Sequence, residues 1–319
     1  MPLSKGLLIV LTIIISLVGL FLGGYLYQTL SNLDLVSPNR IENKHYFSDE
    51  IFINGLGPNN EPLFIHLLLN RKQRASGDYL HYYTMEIVSP SLSRKIMQEQ
   101  VSADATLIPL HGIKNITRQT EEDLSTRESY AITLDFGKEI ALKLSRFQGD
   151  FLLHNKLDHT KYASAGKALI TLDGKEYELN ALLTKTFAQN YSTYVFFDNF
   201  DQLDSTTHVV VAWDQNDQLY YLDTSDTRSK HTGYGSHKWG YFGSKLGGKK
   251  LSNITITHAT TGRNPTEWQV SLPEIEDGAR LEFKVNYHDL SRAAGLLKGK
   301  VKLGETETEI SGYAIYAEY

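Results

Sequence analysis

The chain contains no cysteine. That absence excludes disulfides, thiol nucleophiles, lipoprotein acylation and cysteine-ligated zinc together, and it fits an oxidising compartment. Positive charge is not in excess either: 32 Lys and Arg stand against 37 Asp and Glu, a formal net charge of −5. A nucleic-acid binder normally shows a basic face, so none is expected as a partner. The densest basic group, Arg71-Lys72-Gln73-Arg74, reads as a solvated turn. No P-loop, no G-x-G-x-x-G opening a helix, no G-x-S-x-G elbow and no H-E-x-x-H occurs. Long amphipathic helical patterns are missing too. Only Ser93–Gln100 and Leu290–Leu297 show helical spacing, and both are short.

What is present starts with one long apolar run. Residues 6–30, GLLIVLTIIISLVGLFLGGYLYQTL, carry no charge, and none appears between Lys5 and Asp34. About 20 apolar residues span a bilayer as a helix, whereas a cleaved signal peptide has an apolar stretch of about 7–15. The expectation is an uncleaved signal-anchor over residues 1–33, with Tyr25 and Tyr27 at the far interface. Lys5 and the terminal amine favour an inside N-terminus. The bulk of the chain is then extracytoplasmic, and periplasmic in a Gram-negative host.

After the anchor the chain reads as successive strands. Asp173-Gly174 is a two-residue hairpin signal that sets Ile170 opposite Tyr177 and Ala168 opposite Leu179. A turn at Gly137-Lys138-Glu139 sets Phe136 opposite Ile140, Leu134 opposite Leu142 and Ile132 opposite Leu144. A turn from Gln215 to Gln218 sets Trp213 opposite Tyr220 and Val211 opposite Leu222. Each hairpin brings apolar side chains together on one face. Further strands are expected in PLFIHLLL, DYLHYYTMEIV, ITITHA, EWQVSL and RLEFKVNY. The fold class is all-β, closing into barrels or sandwiches. The polar, turn-rich LLHNKLDHTKYAS is the expected seam between units at 45–157 and 158–319.

Few residues speak for chemistry. His231 and His237 are the close histidine pair, with no acidic residue between them, so no metal site is expected. Asp158 and His159 are adjacent and would point to opposite faces of an extended segment. Asp198, Asp201 and Asp204 lack the glycine and closing glutamate of a calcium loop. No cofactor is expected. Asn115, Asn190 and Asn253 head N-glycosylation triplets, relevant only in a glycosylating host. Tyrosine is abundant at 19 residues; such rings either fill a barrel or line an apolar ligand cavity. The glycine- and aromatic-rich TGYGSHKWGYFGSKLGG, residues 232–248, reads as a long connection whose rings cap a barrel mouth or pack two barrels together.

Read in order, HYFSDEIFINGLGPNNEPLFIHLLLNR, YASAGKALITLDGKEYELNALL, FFDNFDQLDSTTHVVVAWDQNDQLYYLD and GYAIYAEY resemble the two-domain lipocalin-like family of carotenoid 1,2-hydratase (hydroxyneurosporene synthase) and AttH-like proteins. The resemblance implies two tandem lipocalin-like barrels enclosing an apolar cavity, and, in the hydratases, addition of water across an isoprenoid double bond. The family's Asp-His-x-Trp signature follows the second-domain hairpin. This chain has Leu183-Thr184-Lys185-Thr186-Phe187-Ala188-Gln189 there, with Lys185 unsuited to protonate an alkene and Asp198 the nearest aspartate downstream. The leading expectation is therefore a membrane-anchored binding or carrier protein for a hydrophobic small molecule, a lipid or isoprenoid. The alternatives are a hydratase- or isomerase-type lyase and a non-catalytic envelope scaffold. The residues expected at the ligand are Tyr191, Tyr194, Trp213, Tyr234, His237 and Trp239.

Overall fold

The computed structural model describes residues 45–318 other than 75, 91–92, 121–127, 136–138, 147–150, 157–158, 189–204, 228–236, 245–246, 261–263, 276 and 290–293. The expected anchor over residues 1–33 lies outside the described residues, among which no helix is long and apolar enough to cross a membrane.

Nineteen strands are described. The first ten are β1 (Tyr46–Leu56), β2 (Pro62–Gln73), β3 (Tyr79–Val88), β4 (Ser93–Ser102), β5 (Ile113–Thr120), β6 (Glu128–Asp135), β7 (Glu139–Arg146), β8 (Phe151–Lys156), β9 (His159–Leu172) and β10 (Lys175–Ala188). The others are β11 (Ser205–Asp214), β12 (Leu219–Thr227), β13 (His237–Ser244), β14 (Gly247–Leu251), β15 (Thr255–Thr260), β16 (Pro265–Leu272), β17 (Ala279–Asp289), β18 (Ala294–Leu303) and β19 (Thr306–Glu318). They form two antiparallel sheets. Sheet 1 runs β4-β3-β2-β1-β10-β9-β7-β6-β5, with β8 also on β9; sheet 2 runs β14-β13-β12-β11-β19-β18-β17-β16-β15. The chain changes sheet between Ala188 and Ser205, so β9 and β10, which the sequence reading assigns to the second unit, complete sheet 1. Strand β9 pairs with both β7 and β10, and this fixes it there despite the polar residues at its start.

Each sheet curls around its own core. In sheet 1, alternate residues of strands from β1 to β10 meet on one face: Ile51 and Ile53, Leu67 and Leu69, Met85, Ile132, Leu142, Ile170 and Leu183 belong to one buried cluster. Sheet 2 does the same with Val210, Leu222, Trp268, Leu281, Val301 and Ala314. Burying one face of a strand needs apolar residues only at every second position. In β1 seven of eleven positions are buried, on both faces, and three more are half-buried. The second faces of β1, β2, β9 and β10 pack against those of β11, β12, β13 and β19, forming a third cluster with Phe52, Phe64, Ala163 and Leu182 from one sheet and Val211, Trp213, Tyr221, Tyr241 and Tyr313 from the other.

The hairpins meet the sequence expectations unevenly. At Asp173-Gly174 the pairs Ile170–Tyr177 and Ala168–Leu179 form as expected, and both turn residues have positive φ, as a type I′ turn requires. Between β6 and β7 the register slips by two: Leu134 faces Ile140 and Ile132 faces Leu142. Phe136 lies outside the described residues, and a slip of two leaves every described side chain on its expected face. Between β11 and β12 the slip is one residue: Trp213 faces Leu219 and Val211 faces Tyr221. The cause is Asp214, whose carboxylate accepts hydrogen bonds from the backbone N–H groups of Asn216 and Gln218 and closes a shorter, three-residue turn with Asp217 at positive φ. The expected helix at Ser93–Gln100 is strand β4, held by pairing to β3, and Ala294–Leu297 of the other expected helix lies in strand β18. Tertiary pairing overrides their weak helical spacing.

Candidate functional site

Charged groups are rare in a seam between two sheets, since burying an unpaired charge is costly. Here they gather at one end of it. From sheet 1, Glu50 on β1, His66 on β2, Lys161 on β9 and Thr184 on β10 point toward sheet 2. From sheet 2, Tyr221 and Asp223 on β12 and His237 and Trp239 on β13 point back. Two-residue periodicity puts each of them on the face opposite its own sheet's core.

Lys161 Nζ donates to Asp223 Oδ2 across the seam, and both side chains are nearly buried. Tyr221 Oη donates to the same oxygen at 3.3 Å, and His237 Nε2 reaches Asp223 Oδ1 at 3.2 Å. The ammonium lies 5.4 Å from the Trp239 ring centroid and 5.6 Å from that of Tyr221, and His237 stacks on Trp239 at 4.0 Å. Burial opposes charge on both partners, but each offsets that for the other. The Lys161 ammonium, with the His237 hydrogen bond, holds the Asp223 carboxyl well below the carboxylate range, and Asp223 holds Lys161 above its ordinary value. Asp223 is therefore a fixed anion that orients its neighbours and is no proton donor near neutrality. Burial pushes the Tyr221 hydroxyl up, with Lys161 opposing, so it stays protonated.

A second carboxylate–imidazole pair faces it from sheet 1. His66 Nε2 lies 2.9 Å from Glu50 Oε1, and Thr184 Oγ1 donates to Glu50 Oε2 at 3.4 Å. Phe52 stacks on the His66 ring at 4.6 Å. Beside it, Tyr313 Oη donates to Glu86 Oε2 while its ring stacks on Phe64 at 4.1 Å, another link between sheets. The walls around the polar groups are apolar and half-buried: Val209, Leu296 and Ile315 from sheet 2 and Leu68 from sheet 1.

Of the residues expected at a ligand, Tyr191, Tyr194 and Tyr234 lie outside the described residues, as do Asp158, Asp198, Asp201, Asp204 and His231. His237 and Trp239 meet in the polar end of the seam. Trp213 faces the same seam at its apolar end, in the cluster with Tyr221 and Tyr241. The fragment read as a connection is strand from His237 to Ser244 and again from Gly247. Its glycines make room for a ring. A Cβ on Gly243 or Gly248 would stand 2.6 or 2.3 Å from Tyr241, which packs between the sheets. Glu50, His66, Lys161 and Asp223 were not read from sequence, because only the packing of two sheets brings them together. Their signal was a charged residue inside a strand buried on both faces.

No protein-family model matches the chain, and no curated protein matches it. Solved structures do. A protein assigned as AttH from Nitrosomonas europaea superimposes with a TM-score of 0.54 at 11% identity, over 87% of this chain and 93% of the other. Kievitone hydratase from Nectria haematococca gives 0.52 at 10% identity, over 88% and 90%. The chain has the two-domain, lipocalin-like all-β fold of these structures, as its sequence resemblance implies.

Proposed function

We propose that the protein binds a small, largely apolar molecule, a lipid or isoprenoid, at the polar end of the seam, as a membrane-anchored extracytoplasmic binder or carrier. The observation that carries this reading is where polarity meets half-buried apolar surface. Both sheet interiors are filled by their own side chains, whereas the seam sets half-buried Val209, Leu296, Ile315 and Trp239 around oriented polar groups. Apolar walls with a few convergent polar groups are the usual make-up of a small-molecule site. Tyr191, Tyr194 and Tyr234 remain part of the proposal as ligand-binding residues, and Trp213 lies further along the seam.

A second reading, a hydratase- or isomerase-type lyase, is favoured by the two facing pairs Glu50–His66 and Asp223–His237. In each, the carboxylate holds Nε2 and orients the ring, the arrangement that suits a general base. The likeness in fold to a hydratase supports it.

Native mass spectrometry of the detergent-purified chain, with extraction of whatever co-purifies, tests the first reading. A stoichiometric lipid or isoprenoid is expected, with binding weakened about tenfold or more in Trp239→Ala. A clean protein that also takes up nothing from a panel of polyenes and fatty acids overturns binding and leaves the scaffold. Turnover of the bound molecule, lost in His237→Gln with binding kept, selects the lyase.

A further inference from the structure

Sheet 1 ends on β4, ten residues long. Among the described residues its backbone hydrogen-bonds only to β3, in unbroken register from Ser93 to Ser102. A cleft of about 600 Å³, lined by Arg94, Ile96, His111 and Lys114, separates it from β5, the other edge of the sheet. Natural edges are blunted by proline, a bulge, short length or charged side chains, because a row of open N–H and C=O groups invites another strand; β4 has the charges, Arg94, Lys95 and Glu99. SRKIMQEQVS has no proline and no bulge. It also carries two of the four exposed large hydrophobic side chains among the described residues, Met97 at 45% and Val101 at 43%. With Ile96 turned to the core, alternation places Lys95, Met97, Glu99 and Val101 together on the outer face.

We infer that β4 pairs antiparallel with β4 of a second copy of this chain, about a two-fold axis at Met97. The charge pattern selects that register. A two-fold axis perpendicular to a continuous sheet makes some residue its own partner. Centred on Lys95 or on Glu99, it sets like charges directly opposite, which is unfavourable, and centred on Ile96 or Gln98 it leaves Lys95 and Glu99 opposite uncharged residues. Centred on Met97, it sets Lys95 opposite Glu99 on both sides of the axis, Met97 against Met97, and Val101 against Ser93. A lysine has three donors and can serve a carboxylate of the second copy beside a partner of its own. The edges at β14 and β15 show no such pattern: β14 has five residues with two glycines and two adjacent lysines, and β15 carries no charged pair.

The lack of cysteine makes the test clean, since a single introduced thiol is the only one. In the full chain in detergent, Met97→Cys should cross-link to its own copy on mild oxidation, because directly opposed Cα atoms lie about 4.5–5.5 Å apart, within disulfide reach. Val101→Cys should not, since its counterpart is about eight residues along the strand, roughly 27 Å away. In the Met97→Cys background, Lys95→Glu or Glu99→Lys alone should cut the yield about tenfold, and the two together should restore it. Association through the apolar N-terminal run would not distinguish position 97 from 101 or respond to the swap. Equal yields at 97 and 101, no product at 97, or no rescue by the double swap in a chain with native circular dichroism each overturns the inference.

Discussion

Replacing Lys161 by Met removes the one ammonium that compensates Asp223, while keeping the length and most of the apolar stem. The carboxylate then stays in the seam with two weaker partners, Tyr221 Oη at 3.3 Å and His237 Nε2 at 3.2 Å. Breaking one side of a buried pair costs about 3–5 kcal/mol, since the remaining charge has lost its compensation. For a chain of this size that lowers the melting temperature by about 6–10 °C. Lys161→Met/Asp223→Asn should recover most of the loss, because the neutral amide needs no counter-charge, its oxygen accepting from one of Tyr221 and His237 while its NH2 donates to the other. The pH dependence of the single variant has a definite sign. Without its cation, burial raises the folded-state pKa of Asp223 above the unfolded value, so the deficit shrinks as pH falls toward the carboxylate range. The assay is urea unfolding followed by tryptophan fluorescence and far-UV circular dichroism. The ion pair links the two sheets, so Lys161→Met should also pull the two signals apart, fluorescence from Trp239 and Trp213 in the seam moving first. A loss under about 1 kcal/mol, or a double variant as unstable as the single, refutes the reasoning.

The core of sheet 2 holds a pH-sensitive group. Burial, and then the neighbouring His258, lowers the His208 pKa to about 4, against about 6.5 unfolded. The unfolded chain therefore binds the extra proton first as pH falls. Stability is complete above about 6.5 and declines by about 3 kcal/mol down to about 4, a slope His208→Phe should flatten in urea midpoints measured across that range. Close strand approach gives a steric prediction. A Cβ on Gly312 would lie 1.9 Å from the Val211 carbonyl oxygen, so Gly312→Ala should cost at least about 3 kcal/mol. Gly174→Ala meets nothing within 4 Å, but its φ of +75° sets the loss at about 1–2 kcal/mol.

The all-β class and most strands were legible because alternation and turn residues are local. The Asp173-Gly174 hairpin gave the correct register, since two residues with positive φ leave one way to pair the flanking strands. The β11–β12 register was not legible, because it depends on Asp214 folding its carboxylate back onto the turn, a choice the spacing of apolar residues does not record. Likewise β4 reads as a short helix until β3 is beside it. The seam was half-visible. VVVAW in β11 and LYYL in β12 are apolar on both faces, which already demands a neighbour on each side. What the sequence could not show is which residues meet there. Lys161 and Asp223 are 62 positions apart and Glu86 and Tyr313 are 227 apart, and no local pattern spans such distances.

The order of strands in sheet 2 also sets an order of events. Strand β19 lies between β11 and β18, so the sheet consists of two unjoined halves until Thr306–Glu318 docks. That one strand supplies Ala314 and Tyr316 to the core of sheet 2 and Tyr313 to the link with Phe64 and Glu86 on sheet 1. While the chain is being made, its earlier strands must wait with open edges and bare apolar faces. Pairings this distant in sequence form slowly. The interval before β19 arrives is when a holding chaperone would protect the chain most, and when a protease would find it most easily.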